Sequence, residues 1–321
     1  MTGIAGQDGS FLTELLLEHG YRVVGTVRGA PADPLGSSEH LRAQDELVHA
    51  DLLEPSTLTA AVADARPDEL YHLAAPSFVP DSWEWPAETI QAISAATGTL
   101  LEAVRDHSPH TRVFVATSSL IFGDAQESPQ HEDTPCRPLN PYATAKLAAH
   151  QLVAQLRGHA GAYACSGILY NHESERRPES FVTRKITRAA AAIKLGLEQE
   201  VQLGDLSAIR DWSFAGDVMR GAWLMLQQEA PDDYILASGV GRTVQEFADA
   251  AFARVGLNPR DHIRVDPDLV RLPEQTPQVG DPSRARDRLG WDHTLGFEEL
   301  VARMVDADLE ALTARGAPQG Q

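Results

Sequence analysis

The sequence predicts an α/β protein, a doubly wound parallel sheet with a smaller C-terminal lobe. Three observations lead there. Short β-rich runs alternate with amphipathic helical runs through the first half of the chain. A glycine-rich turn runs straight into a helix at the very start. After residue 170 the alternation gives way to helices separated by charged and proline-containing loops.

The turn, TGIAGQDG at residues 2–9, precedes helical spacing of leucines over 11–19. Runs at 21–27 (YRVVGTV), 69–73 (ELYHL) and 112–117 (RVFVAT) are rich in β-branched and aromatic residues. Bounded by polar or glycine-rich turns, they read as buried strands. Helical spacing of leucine, alanine and valine fills 55–63 and 97–107, and a further helix at 141–156 precedes a strand at 164–170. Strand–helix alternation of this kind implies a parallel sheet with right-handed crossovers and helices on both faces, a Rossmann-type arrangement. Beyond it, a loop at 171–179 leads to helices at 181–195 and 216–228, and four prolines in or beside 265–280 predict an extended loop there. The expected division is 1–170 for the Rossmann domain, 171–315 for a lobe with some return to the sheet, and 316–321 for a frayed tail without an apolar anchor. Because the glycine turn begins at residue 2, the first strand, normally the centre of such a sheet, is almost missing. A start upstream of the stated one is the expected explanation, since a sheet without its middle exposes apolar area on both faces.

The chain has 321 residues, and its 27 basic and 46 acidic side chains leave a formal charge of −19. That balance excludes a nucleic-acid binder, which needs a basic face, and equally an anionic membrane surface. An anionic ligand must be held by local arginines, lysines and helix ends. At 43% apolar residues the chain can build a large core. Cys136 and Cys165 show no metal-binding spacing, and so few cysteines in so long a chain read as a reduced, cytoplasmic protein. No apolar run approaches the ~18–20 residues that cross a bilayer, and no signal peptide is visible.

Gly3, Gly6 and Gly9 permit a tight turn and close backbone approach, and the helix start behind them offers free N–H groups to a pyrophosphate. The second strand ends at Arg28, where a site for NAD would offer a carboxylate to the ribose; arginine there suits the 2′-phosphate of NADP. Asp51 and Leu52, after the next strand, can flank the adenine. Tyr142 and Lys146 stand at i and i+4 on one helix face. The lysine charge is expected to lower the phenol pKa, so that Tyr142 takes a proton from a sugar hydroxyl while hydride leaves the same carbon. Ser118 and Ser119, at a strand end, supply hydroxyls to orient that alcohol.

These elements together resemble the extended short-chain dehydrogenase/reductase family, and within it the GDP-mannose 4,6-dehydratases, over nearly the whole chain. TGIAGQDGSFL at 2–12 resembles their cofactor turn and NPYATAKLAA at 140–149 their catalytic helix; ILYNHESERR at 168–177, FVTRKITRA at 181–189 and LGDLSAIRDW at 203–212 resemble blocks peculiar to that subfamily. The resemblance implies that Gly3, Gly6, Gln7, Asp8, Arg28, Asp51, Leu52, Leu73, Ala74, Ser77, Tyr142, Lys146, His172 and Arg177 meet NADP. It implies that Ser82, Ser119, Asn171, Val182, Lys185, Arg210, Arg271 and Glu274 meet a GDP-hexose, GDP-mannose or a derivative. Lys185, Arg210 and Arg271 would give the diphosphate its counter-charges. A homodimer or homotetramer is the implied assembly, although Gly29 replaces an arginine associated with the tetramer.

One departure bears on the chemistry. The dehydratases carry Thr-Ser-Glu at the strand end, where the glutamate removes the C5 proton; this chain has Ser118-Ser119-Leu120. Pro76 and Phe78 likewise replace polar residues beside the nicotinamide. Three readings follow. The first, favoured by overall similarity, is a dehydratase with a water-mediated route or a substitute base, for which His172 and Glu173 stand in the matching loop. The second is a 4-epimerase or 4-keto reductase, which needs only Ser118, Tyr142 and Lys146 with NADP. The third is a non-catalytic, cofactor-bound scaffold.

Overall fold

The structure is a computed structural model that describes residues 1–30, 32–42, 46–269 and 276–316. Its strands are β1 (Val24–Val27), β2 (Glu46–His49), β3 (Glu69–His72), β4 (Arg112–Ala116), β5 (Ala164–Leu169), β6 (Asn171–Glu173), β7 (Val201–Leu203), β8 (Ile209–Phe214), β9 (Tyr234–Leu236), β10 (Gly241–Thr243) and β11 (Ile263–Val265). The first helices are α1 (Gln7–Glu18), α2 (Pro55–Ala65), the short α3 (Asp81–Glu84) and α4 (Pro86–Ile90), then α5 (Ala96–His107) and α6 (Pro141–Ala160). They are followed by α7 (Val182–Lys194), α8 (Ala215–Leu226), α9 (Val244–Arg254), α10 (Pro259–His262), α11 (Ser283–Leu289) and α12 (Phe297–Gly316).

Strands β3, β4, β5 and β9 pair side by side in parallel, and β1 pairs in parallel with β2. Thr2 joins the two groups. It bridges Thr26 of β1 on one side and His72 of β3 on the other, with Thr26 N–H donating to Met1 O at 2.9 Å and Thr2 N–H to Tyr71 O at 2.9 Å. The sheet therefore keeps its middle, though as a bridge of a residue or two where the fold usually has a full strand.

A strand buried on both faces carries apolar side chains at successive positions. In β4, Val113 and Val115 meet Leu58, Val62, Leu100, Val104 and Val153 on one face. Phe114 and Ala116 meet Leu12, Leu16, Met225 and Leu226 on the other. Helices α2, α5 and α6 thus cover one side, and α1 and α8 the other. Helix α8 packs on this face and β9 pairs with β5 at the edge of the sheet.

The remaining segments build a second layer over the carboxyl edge of the sheet. Strands β6, β8 and β10 form one small sheet, and β7 pairs with β11. Trp212, Phe247 and Phe297 cluster beneath it, with Trp212 and Phe247 ring centroids 5.1 Å apart. The structure corrects the expected loop at 171–179, which opens as β6. Three residues paired to β8 are too short a run to announce themselves by alternation. The stretch 265–280 is not wholly extended either: Pro267–Leu269 forms a 3₁₀ turn, and Gln278 and Gly280 bridge Arg210 and Gln130. Of the expected tail, residues 317–321 lie outside the described residues.

Candidate active site

In a doubly wound sheet, ligands bind beyond the carboxyl ends of the strands, at the point where connections diverge to either side. Thr2, flanked by β1 and β3, marks that point, and the glycine turn leaves the sheet from it. Gly3 adopts φ 77°, and a Cβ there would stand 2.9 Å from Ala74 N, so Leu73 and Ala74 close directly onto the turn. A Cβ on Gly9 would lie 2.3 Å from Gly3 O. Gly6 caps α1 with no side-chain hydrogen bond and is exposed, which leaves the helix start open to an anion.

Gln7 and Asp8 turn toward β6. Asp8 Oδ2 lies 3.0 Å from His172 Nε2, and His172 Nδ1 lies 2.7 Å from Tyr170 O. A carboxylate and a carbonyl only accept, so both ring nitrogens donate and His172 is an imidazolium. Burial opposes each charge, yet the pairing wins: the charge and hydrogen bond of His172 bring Asp8 down to about 2, and Asp8 in turn raises His172 above its ordinary value. Gln7 Nε2 donates to Asp8 Oδ1 at 3.0 Å and to His172 O at 3.2 Å, which locks the arrangement.

Ser118, Tyr142 and Lys146 converge where β4 ends and α6 begins. Asn140 caps α6 by accepting from Ala143 N–H at 2.8 Å, with Pro141 at the first helical position. Tyr142 hydrogen-bonds Ser118, whose Oγ also accepts from Leu120 N–H at 3.2 Å. Burial pushes the phenol up to about 12, against the Ser118 hydrogen bond and the charge of Arg177. Burial likewise lowers Lys146 to about 8, with the charge of Asp8 opposing. The expected acidification of Tyr142 by Lys146 is therefore not what the structure shows. The ammonium, 5.8 Å from the tyrosine ring centroid, donates instead to Ala116 O at 2.7 Å, and Arg177 is the cation that acts on the phenol.

Leu120 is half-buried. With Ala75 and Val79 it packs against Ile93, Tyr142, Ala145 and Ala149, so hydrocarbon borders the phenol on that side. Neither expected stand-in base is unengaged. His172 uses both nitrogens, and Glu173, 1% exposed, accepts from Thr183 Oγ1 at 2.6 Å and faces Arg177 Nε at 3.2 Å. The Arg177 guanidinium lies 3.7 Å from the Phe181 ring centroid, and Phe181 meets Phe78 edge-on at 6.1 Å.

Arg28 follows β1, and Asp51 and Leu52 follow its partner β2, where Ala50 N–H donates to Val27 O at 3.0 Å. All three thus share one end of the sheet edge. Arg28 is exposed and has no hydrogen bond or ion pair among the described residues, while Asp51 Oδ1 accepts from Leu53 N–H at 2.9 Å. Ser77 is exposed on the segment between Ala74 and Phe78. Ser82 is buried, and its hydroxyl donates to Val79 O at 2.7 Å within its own turn. Ser119 is buried behind Ser118. Asn171 pairs with Trp212, two residues from Arg210, whose Nη1 donates to Ile209 O at 2.8 Å. Val182 opens α7, and Lys185 follows on the next turn, half-buried and without an ion-pair partner among the described residues. Arg271 and Glu274 lie outside the described residues. Two residues that sequence reasoning missed hold the site together: Thr183, and Arg176, which donates to Ser10 Oγ at 2.9 Å and Glu14 Oε1 at 2.7 Å and so ties β6 to α1.

These residues fit a dinucleotide. The glycines leave no room for side chains at the turn, the helix start carries no side-chain cap, and an unpaired arginine waits where a ribose phosphate would end. No group of histidine, cysteine and acidic side chains among the described residues could hold a metal ion. No helix among them is long and apolar enough to cross a membrane.

Comparison with known proteins points the same way. A family model described as GDP-mannose 4,6 dehydratase matches residues 1–304. GDP-mannose 4,6 dehydratase 1 of Arabidopsis thaliana is 46% identical over 322 residues, covering 97% of this chain and 89% of its own. GDP-mannose 4,6-dehydratase of Yersinia enterocolitica is 40% identical, covering 97% of this chain and 93% of its own. The structure of RMD from Pseudomonas aeruginosa complexed with NADPH superposes with a TM-score of 0.81 at 25% identity, covering 96% of this chain and 97% of that one.

Proposed function

Because the chain belongs to the GDP-mannose 4,6-dehydratase family, we propose that it binds NADP and a GDP-hexose and exchanges hydride at C4 of the sugar without removing water. One observation supports this reading: Ser118 and Tyr142, the residues proposed to handle the C4 proton, are hydrogen-bonded to each other, whereas residue 120, where a base for C5 would be expected, is a leucine packed among apolar side chains. Ser118 and Tyr142 are hydrogen-bonded to each other and backed by Lys146 and Arg177. Leu120 has no proton-accepting atom, both nitrogens of His172 are engaged, and Glu173 is buried with its Oε2 held by Thr183 and Arg177.

Gly3, Gly6 and the start of α1 would hold the pyrophosphate, with Gln7 and the Asp8–His172 pair behind it. Arg28 would take the 2′-phosphate, and Leu73, Ala74 and Ser77 would line the path to the nicotinamide. NADP, when bound, supplies the hydride acceptor or donor for C4. Tyr142 takes the proton from O4 or returns it, with Ser118 fixing the oxygen's direction. A phenol lifted to about 12 is fully protonated at neutral pH and so carries a proton for a ketone oxygen, while the charge of Arg177 favours the phenolate and eases transfer in either direction. Lys185 and Arg210 would meet the diphosphate, whose charge a chain of net −19 otherwise repels.

The test is to incubate the purified protein with GDP-mannose and NADP+ and read the sugar by mass and NMR. Change confined to C4, with mass unchanged apart from oxidation or reduction there, supports the reading. Loss of water overturns it in favour of a dehydratase, and bound nucleotide with no exchange at C4 overturns it in favour of a scaffold.

A further inference from the structure

We infer that residues 35–41 form a strap that presents the glycine turn to its ligand, and that Ser38, whose buried hydroxyl reaches the carbonyl of Ile4, is the residue that positions the turn. This rests on the reading that the turn holds the pyrophosphate of NADP, and it names a positioning residue of that same site.

A turn that binds an anion must offer it N–H groups and keep its carbonyl oxygens away from the charge. The carbonyls of residues 3–6 all find donors. Gly3 O accepts from Gly6 N–H at 3.1 Å and Gly6 O from Ser10 N–H at 3.0 Å, both within the turn and the start of α1. Ile4 O and Ala5 O are held from outside. Ser38 Oγ donates to Ile4 O, and Ser37 N–H donates to Ala5 O at 3.2 Å. A serine in a helical turn commonly spends its hydroxyl on a carbonyl three or four residues back. This one crosses instead to a segment 34 residues away. Gly36 lets the strap come so close: it adopts φ 53°, and a Cβ there would stand 3.1 Å from Ala5 O.

The strap is itself anchored. Leu35 and Leu41 are buried on either side of Ser38, and Leu35 N–H donates to Glu39 Oε2 at 2.8 Å. His40 Nε2 lies 2.5 Å from Glu14 Oε1, the same oxygen that accepts from Arg176, so the strap and the loop after β6 grip α1 through one carboxylate. Ser38 thus acts on the ligand through the backbone it holds. Without its hydroxyl, Ile4 O loses a donor and is free to turn toward the anion, which repels it.

The experiment titrates the full chain with NADPH by fluorescence and then displaces it with 2′-AMP, which carries the adenosine and the 2′-phosphate but no pyrophosphate. The proposal expects Ser38→Ala to weaken NADPH about 3- to 10-fold, the worth of one neutral hydrogen bond, and to leave 2′-AMP unchanged. Gly36→Ala, which keeps the hydroxyl and presses a methyl against Ala5 O, should show the same split, and it decides alone should Ser38→Ala not fold. NADPH affinity that does not change overturns the proposal. Equal weakening of NADPH and 2′-AMP overturns it too, because a strap that merely supports the fold or the adenosine end would act on both. A wild-type chain that binds neither ligand sinks the cofactor reading, and the proposal with it.

Discussion

Replacing Leu120 by glutamate is the sharpest perturbation of this site. The side chain is half-buried against Tyr142, Ile93, Ala145 and Ala149, with Ala75 and Val79 alongside. A fully buried leucine contributes about 1.5–3 kcal/mol, so a half-buried one costs roughly 1 kcal/mol to lose. The pKa of a carboxylate in the same hydrocarbon rises by about one or two, another ~1.4–2.8 kcal/mol. The variant should therefore unfold about 2–4 kcal/mol more easily than the wild type, a loss that a large α/β domain survives. Its reward is chemical. A carboxyl group whose pKa rises toward neutrality is a fit general base, and a positioned base contributes about 100- to 10,000-fold. GDP-mannose and NADP+ given to Leu120→Glu should yield a sugar lighter by one water, measured by mass spectrometry beside the wild type, with folding followed by circular dichroism. A folded variant that binds GDP-mannose and shows no gain in water loss would refute the argument that residue 120 decides between dehydration and simple C4 exchange.

Three further outcomes follow from the same geometry. Tyr142→Phe should lower C4 exchange about 100- to 10,000-fold while leaving NADP affinity within a few-fold, checked by turnover and fluorescence titration; unaltered turnover removes the phenol from the proton path. Glu173→Gln leaves the Arg177 guanidinium without its buried counter-charge and should cost about 3 kcal/mol in urea unfolding; a loss below about 1 kcal/mol would show the pair is not holding the turn that follows β6. Asp8→Asn tests the Asp8–His172 pair through pH. A carboxylate lowered to about 2 gives stability that is full above about pH 4 and is lost as pH falls toward 2, about 2 kcal/mol in all. A raised His172 gives stability that is full below about 6.5 and is lost as pH rises through its folded value. The wild type should thus exceed Asp8→Asn most between about pH 4 and 6.5; an advantage that does not change with pH would contradict the ion pair.

The features legible in the chain are those carried by local spacing. The glycine turn, the Tyr142–Lys146 pair and the alternating strands each lie within a few residues, and the structure brings the turn and the pair to one edge of the sheet. Leu120 was legible through the family resemblance alone, as a hydrocarbon where the dehydratases carry a glutamate. What escaped depends on partners far apart in sequence. Nothing in the linear order relates Asp8 to His172, or Arg176 to Glu14, since those pairs exist only once β6 lies across α1. Lys146 misled for a related reason: helical spacing shows that it shares a face with Tyr142, but not that the Ala116 carbonyl is in closer reach. The central strand, reduced to a bridge at Thr2, was legible as a shortage and not as the bridge that fills it.

The fate of the hydrogen on C4 tests the central claim most directly. GDP-mannose bearing deuterium at C4 is incubated with the enzyme and NADP+, and the label is followed by NMR. The account predicts that deuterium moves from C4 to the nicotinamide while the sugar keeps every oxygen it began with. Deuterium that stays on C4 with the configuration there unchanged, or water released from the sugar, would contradict it.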